Sequence, residues 1–161
     1  MTFRIVLAMT AAVAWLAAGS VQAQERKPTR KEVDVIRACA VKYANDASEA
    51  ERRCLFNLVA GPCAKRSKLA SDRDRVECFD LERAIWDDLL NENFKSLNGG
   101  LDDEQKTKVR DMQRAWIAYR DTTCAFYYDK IQGTMANTMI TACRARETAR
   151  RALLLAFFAT L

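Results

Sequence analysis

From Lys27 onward, apolar residues recur at three- and four-residue spacing, the period of a helix that buries one face. Thr29 and Glu32 form a capping box, after which Val33, Ile36, Ala40 and Tyr43 make a stripe that runs to Asn45-Asp46. Ser48 and Glu51 predict a second box, and Gly61-Pro62 reads as the stop of the short helix behind it. Ser71-Asp72 opens a third helix with Phe79, Trp86, Leu89, Leu90 and Leu97 on its buried side, ended by Asn98-Gly99-Gly100. Asp102 caps a fourth, whose stripe is Val109, Met112, Trp116, Tyr119, Thr123 and Phe126. Gln132-Gly133 breaks the chain, and a last helix is expected from about Ala136 to the C-terminus. Residues 64–71, with Lys65, Arg66 and Lys68, read as a mobile loop. No segment alternates as a strand does. The expectation is an all-α domain, a small bundle of four to five helices.

The N-terminus sets the compartment. Met1–Arg4 is a short positive start, Ile5–Ala18 is apolar apart from Thr10, and Val21-Gln22-Ala23 is a small-residue cleavage pattern. That order is a secretory signal peptide, residues 1–23, with one domain over 24–161. The apolar run is shorter than the ~20 residues that span a bilayer, so no stable membrane insertion is expected after cleavage. No cysteine stands near the cleavage point to take a lipid. The protein is therefore expected to be periplasmic or secreted. Its balance of 26 basic and 21 acidic residues is mild, and the basic residues are scattered among acids, which argues against nucleic acid as a partner.

Export gives the cysteines a meaning. Cys39, Cys54, Cys63, Cys78, Cys124 and Cys143 are six, an even count in a small exported domain, which reads as three disulfides. Zinc or haem attachment would need Cys-x-x-Cys or histidine, and the chain has neither, so no metal or cofactor is expected. Cys124 and Cys143 are centred on the Gly133 bend, where an antiparallel helix pair would bring them face to face. The same reasoning centres Cys39 and Cys54 on Asp46-Ala47, and Cys63 and Cys78 on Ala70-Ser71. The partners of these last two pairs could also be exchanged.

Candidate chemistry is sparse. Without histidine, free thiol, Gly-x-Ser-x-Gly or a glycine-rich phosphate loop, the chain is not expected to be an enzyme. A glycosidase needs only two carboxylates about 5 to 10 Å apart, but the run Asp80, Glu82, Asp87, Asp88 and Glu92 lies along one helix as a solvated face would. Polar residues inside the apolar stripes are more informative: Glu82 before Trp86, Gln113 and Arg120 around Trp116, Asp121, and Thr148 and Arg151 before Leu155. A buried charge needs a partner. One reading is an internal network, with Arg120 or Arg151 bonded to Glu82 or Asp121. The other is a ligand groove near Trp86, Trp116 and Arg120.

The segments Glu82-Arg83-Ala84-Ile85-Trp86-Asp87-Asp88-Leu89-Leu90-Asn91 and Gln113-Arg114-Ala115-Trp116-Ile117-Ala118-Tyr119-Arg120-Asp121 are followed by Cys124, Gly133, Cys143, Thr148, Arg151 and Leu155. Over residues 54–155 this series resembles the LprI-like lysozyme-inhibitor domain family, small helical domains of bacterial envelope proteins. The chain departs in having no lipidation cysteine, unlike the member that names the family, and in carrying Phe94 where a tyrosine is frequent. The resemblance implies lysozyme as a partner, blocked by steric occlusion. Because many lysozymes are basic, docking would use a local acidic patch, with Asp87, Asp88 and Glu92 as candidates, or a constrained loop near Gly61-Pro62 or Gly133. The alternative is an envelope module that binds a small molecule or cell-wall fragment without inhibiting anything.

Overall fold

The computed structural model describes residues 26–55, 57–66 and 71–161. The expected signal peptide, residues 1–23, lies outside them. The described residues form six helices and no strand: α1 (Arg30–Lys42), α2 (Ala47–Cys54), α3 (Ala60–Arg66), α4 (Asp72–Gly99), α5 (Asp103–Ile131) and α6 (Gly133–Phe158). None of these helices is long and apolar enough to cross a membrane.

Caps set most boundaries. Thr29 and Glu32 close a capping box on α1, Ser71 and Asp74 one on α4, and Asp102 and Gln105 one on α5. Two expectations need correction. Asp46, not Ser48, caps α2, its side chain accepting from the Glu49 N–H at 2.9 Å, which leaves Glu51 to face another helix. Gly61-Pro62 does not stop a helix but sits in the first turn of α3, a helix that brings the described total to six where four to five are expected. Proline is tolerated there because its missing N–H would lack an intrahelical partner anyway. The expected loop over 64–71 is accordingly helical as far as Arg66, and residues 67–70 lie outside the described set.

The core is built on α4 and α6, which run parallel. Thr134 Oγ1 donates to Asp72 Oδ2 (2.9 Å) and Thr138 Oγ1 to the Asp72 carbonyl (3.4 Å), joining their starts. Near their far ends, Asn93 Nδ2 donates to the Ala152 carbonyl at 2.9 Å. Ile36, Cys54, Trp86 and Leu155 are sealed between them and the small N-terminal helices. Helix α5 returns antiparallel and packs almost wholly on α6. Of its 29 residues only Val109 and Cys124 are buried. Met112, Tyr119 and Phe126, expected in the core, are exposed.

Three disulfides staple this arrangement in the pairing that the turn midpoints suggest: Cys39–Cys54, Cys63–Cys78 and Cys124–Cys143, at sequence separations of 15, 15 and 19. Each closes a loop worth about 3 kcal/mol in the chain-entropy account.

Two carboxylates tie the small helices down. Glu32 accepts from Arg26 Nη2 (2.8 Å), Arg66 Nη2 (2.9 Å) and the Thr29 N–H (2.9 Å), linking the start of α1 to the end of α3. The Arg26 guanidinium, with help from Thr29, lowers its pKa from 4.5 to about 2. Glu82, buried in α4, reaches across to α3, where its Oε2 accepts from the N–H groups of Val59 (2.8 Å) and Ala60 (2.7 Å). Those are orphan donors of a helix start, so α4 supplies the cap that α3 lacks. The Trp86 indole N–H adds a long contact to the same carboxylate that falls short of a hydrogen bond. Burial outweighs these bonds and raises the Glu82 pKa.

The two groups act on stability with opposite pH sign. A lowered pKa means that the Glu32 contribution is present above 4.5 and is lost as pH falls towards about 2. A raised pKa means that the Glu82 contribution is greatest below 4.5 and declines as pH rises through its folded value. Thermal melts from acid to neutral pH test this. The wild-type advantage over E32Q should vanish near pH 2, whereas wild type should lose ground to E82Q as pH climbs above 4.5. Curves that stay parallel across the range would refute both assignments.

Candidate functional site

On α5, Gln113, Trp116 and Arg120 follow one another at helical spacing towards α6. On α6 the row Cys143, Glu147, Arg151 and Leu155, four residues apart, faces inward and is buried throughout. Where the two rows meet, with Ala47 and Glu51 of α2 closing one side, lies a cleft of about 150 Å³. Its walls are Ala47, Leu153, Leu154 and the Trp116 ring, and its polar groups are Glu51, Glu147, Arg150 and Arg151.

Trp116 is flanked by cations. The Arg120 Cζ lies 4.9 Å from its ring centroid and the Arg151 Cζ 5.9 Å. Arg120 also pairs with Asp121 at 2.8 Å. Arg151 is only 6 % exposed, and its Nε donates to Gln113 Oε1 at 2.7 Å. Beside them, Glu147 accepts from Arg150 Nη1 (2.8 Å) and lies 3.6 Å from Arg146 Nε, while Arg150 Nε stands 3.7 Å from Glu51. Three donors of cleft residues, Trp116 Nε1, Arg150 Nε and Arg151 Nη2, are buried with no hydrogen-bond partner, although Arg150 Nε has the Glu51 carboxylate near it. Desolvation lowers the pKa of Arg151.

The structure thus divides the residues singled out from sequence among four places. Gln113, Trp116, Arg120, Asp121 and Arg151 meet around the cleft. Glu82 belongs to the α3 cap instead, so the expected bond from Arg120 or Arg151 to Glu82 is not formed; those arginines bond Asp121 and Gln113. Trp86 has no exposed surface and can shape a ligand site only from behind. The acidic patch stands apart on α4: Asp88 and Glu92 are exposed, Glu92 is paired with Arg37, and Asp87 accepts from Asn91 Nδ2 at 3.5 Å. Arg37 lowers the Glu92 pKa, which marks that carboxylate as already partnered. None of the three lines the cleft.

Sequence reasoning missed Glu51, Glu147 and Arg150. Glu147 was within reach, because it shares the four-residue row of Cys143 and Arg151. The spacing of Ser48 and Glu51 predicts a cap that Asp46 fills instead. Among the described residues there is no gathering of three or more metal-ligating side chains.

The family model described as Lysozyme inhibitor LprI matches residues 63–155, covering α4, α5 and most of α6 with the cross-links at Cys63–Cys78 and Cys124–Cys143. Helices α1 and α2, and with them one side of the cleft, lie before the matched region. No curated protein and no solved structure matches the chain.

Removing the Arg120 side chain should test the stack. The loss of one partly exposed cation–π contact and one ion pair is worth about 1 kcal/mol, so Arg120→Ala should lower Tm by about 3–5 °C and leave the protein folded. Outright unfolding, followed by circular dichroism, would contradict that estimate.

Proposed function

Taking as premise that the chain belongs to the LprI lysozyme inhibitor family, we propose that it is an exported binding protein that blocks a lysozyme by steric occlusion, without turnover. The observation that supports this most is the α5–α6 hairpin. Its two helices turn at Gln132-Gly133 through left-handed backbone (φ 57° and 67°) and are cross-linked by Cys124–Cys143, with a Cα–Cα distance of 5.5 Å. Around that turn, Phe126, Tyr128, Ile131, Met135 and Met139 are exposed. Large apolar side chains held on a rigid element lose little entropy on docking, and such groups dominate binding energy at protein interfaces.

The α4 acids are a weaker docking candidate, because Arg37 already neutralises part of their charge. The Gly61-Pro62 segment is weaker still, since it lies inside α3 and not in a loop. A mildly basic inhibitor gains no long-range attraction to a basic lysozyme, so the hairpin reading places the affinity in apolar contact.

A turbidity assay of the purified exported protein against lysozymes of several classes tests this. Inhibition of at least one class is expected, with weak salt dependence. Replacing Phe126 and Tyr128 together by serine should weaken it about 10-fold or more at unchanged Tm, because both side chains are exposed. No inhibition by folded protein in excess would overturn the reading.

A further inference from the structure

We propose that the cleft between α2, α5 and α6 is a binding site for a small carboxylate, held by the Arg151 guanidinium and the Trp116 indole N–H. The argument starts from charge. Around the cleft stand four guanidiniums (Arg120, Arg146, Arg150 and Arg151) and three carboxylates (Glu51, Glu147 and Asp121). Asp121 is taken by Arg120, and Glu51 and Glu147 by Arg150 and Arg146. Arg151 is the one left over. Among the described residues no carboxylate pairs with it, and its one bonded partner is the neutral Gln113 amide.

A guanidinium so buried without a counter-charge is costly, and a ligand that brings the missing charge recovers that cost on binding. The unpartnered donors name the ligand's chemistry. Arg151 Nη2 and Trp116 Nε1 both lack an acceptor, and both side chains wall the same cleft. A carboxylate offers two acceptor oxygens and one negative charge, which answers both deficits. The remaining walls set its size and shape. A space of about 150 Å³ lined by Ala47, Leu153, Leu154 and an indole ring takes a short apolar stem of benzene-like bulk. The site is independent of the hairpin tip, so it stands or falls apart from lysozyme inhibition.

Ligand-observed saturation-transfer NMR with butyrate and its neutral isostere butyramide tests the proposal, alongside the indole N–H signals of Trp86 and Trp116. Butyrate should bind with a dissociation constant on the order of 1 mM, shifting the Trp116 indole and not the enclosed Trp86. Butyramide should bind about 10-fold more weakly or not at all. Trp116→Phe keeps a ring against Arg151 but removes the donor, and should weaken butyrate about 10-fold; Arg151→Gln should abolish binding. Should Arg151→Gln fail to fold, Trp116→Phe and the neutral isostere still decide the matter. An N-acetyl-glutamate N-methylamide arm distinguishes sources: binding equal to butyrate means that a protein side chain can deliver the carboxylate, and binding by butyrate alone means a free small acid. Equal binding of butyrate and butyramide, or no shift of Trp116 with either, would overturn the proposal.

Discussion

The covalent bond between Cys124 and Cys143 is the constraint on which the shape of this domain rests. Helix α5 is longer than both α4 and α6, yet it buries almost nothing of its own. Helices in small domains are normally stable because an amphipathic face is packed away. Here that face is narrow, and a single cross-link at its buried edge, closing a loop of modest length, holds the helix on α6. Because sulphur replaces burial, the rest of α5 is free to present side chains outward.

Around this, α6 is the hub. It lies parallel to α4 through the core, carries α5 on another side, and meets α2 at the cleft. Its inward row mixes Leu155 and Cys143 with Glu147 and Arg151, so the same helix supplies apolar packing and a buried charge pattern. At the other end of α4, Glu82 does the comparable job for α3, lending a short helix the acceptor that its own sequence does not provide. The small N-terminal helices are thus clamped by sulphur and by two carboxylates of opposite electrostatic character, one kept charged by arginine and one made reluctant to ionise by burial.

Much of this was legible in the residues. Caps at Thr29, Ser71 and Asp102 mark helix starts because hydroxyls and carboxylates there satisfy donors that nothing else can reach. The Gly133 break follows from backbone that side chains rarely adopt. Disulfide partners follow from turn positions, since antiparallel helices align residues equidistant from their bend. What was hidden has physical reasons. Gly61-Pro62 carries the same signature whether it ends a helix or starts one, and Glu82, the group that decides, lies far along the chain. Periodicity reports that α5 has an apolar face, but not whether anything covers it, so Met112, Tyr119 and Phe126 were expected inside. The cleft depends on three helices converging, and Trp116, Arg120 and Arg151 announced polarity within a stripe without saying which partner each would find.

The claim that sulphur, not packing, holds α5 can be tested directly by hydrogen exchange on a variant with both Cys124 and Cys143 replaced by serine. Amides of α5 should then exchange far faster than in the wild type while those of α4 and the central part of α6 keep their protection. Unchanged protection along α5, or equal loss throughout the domain, would contradict it.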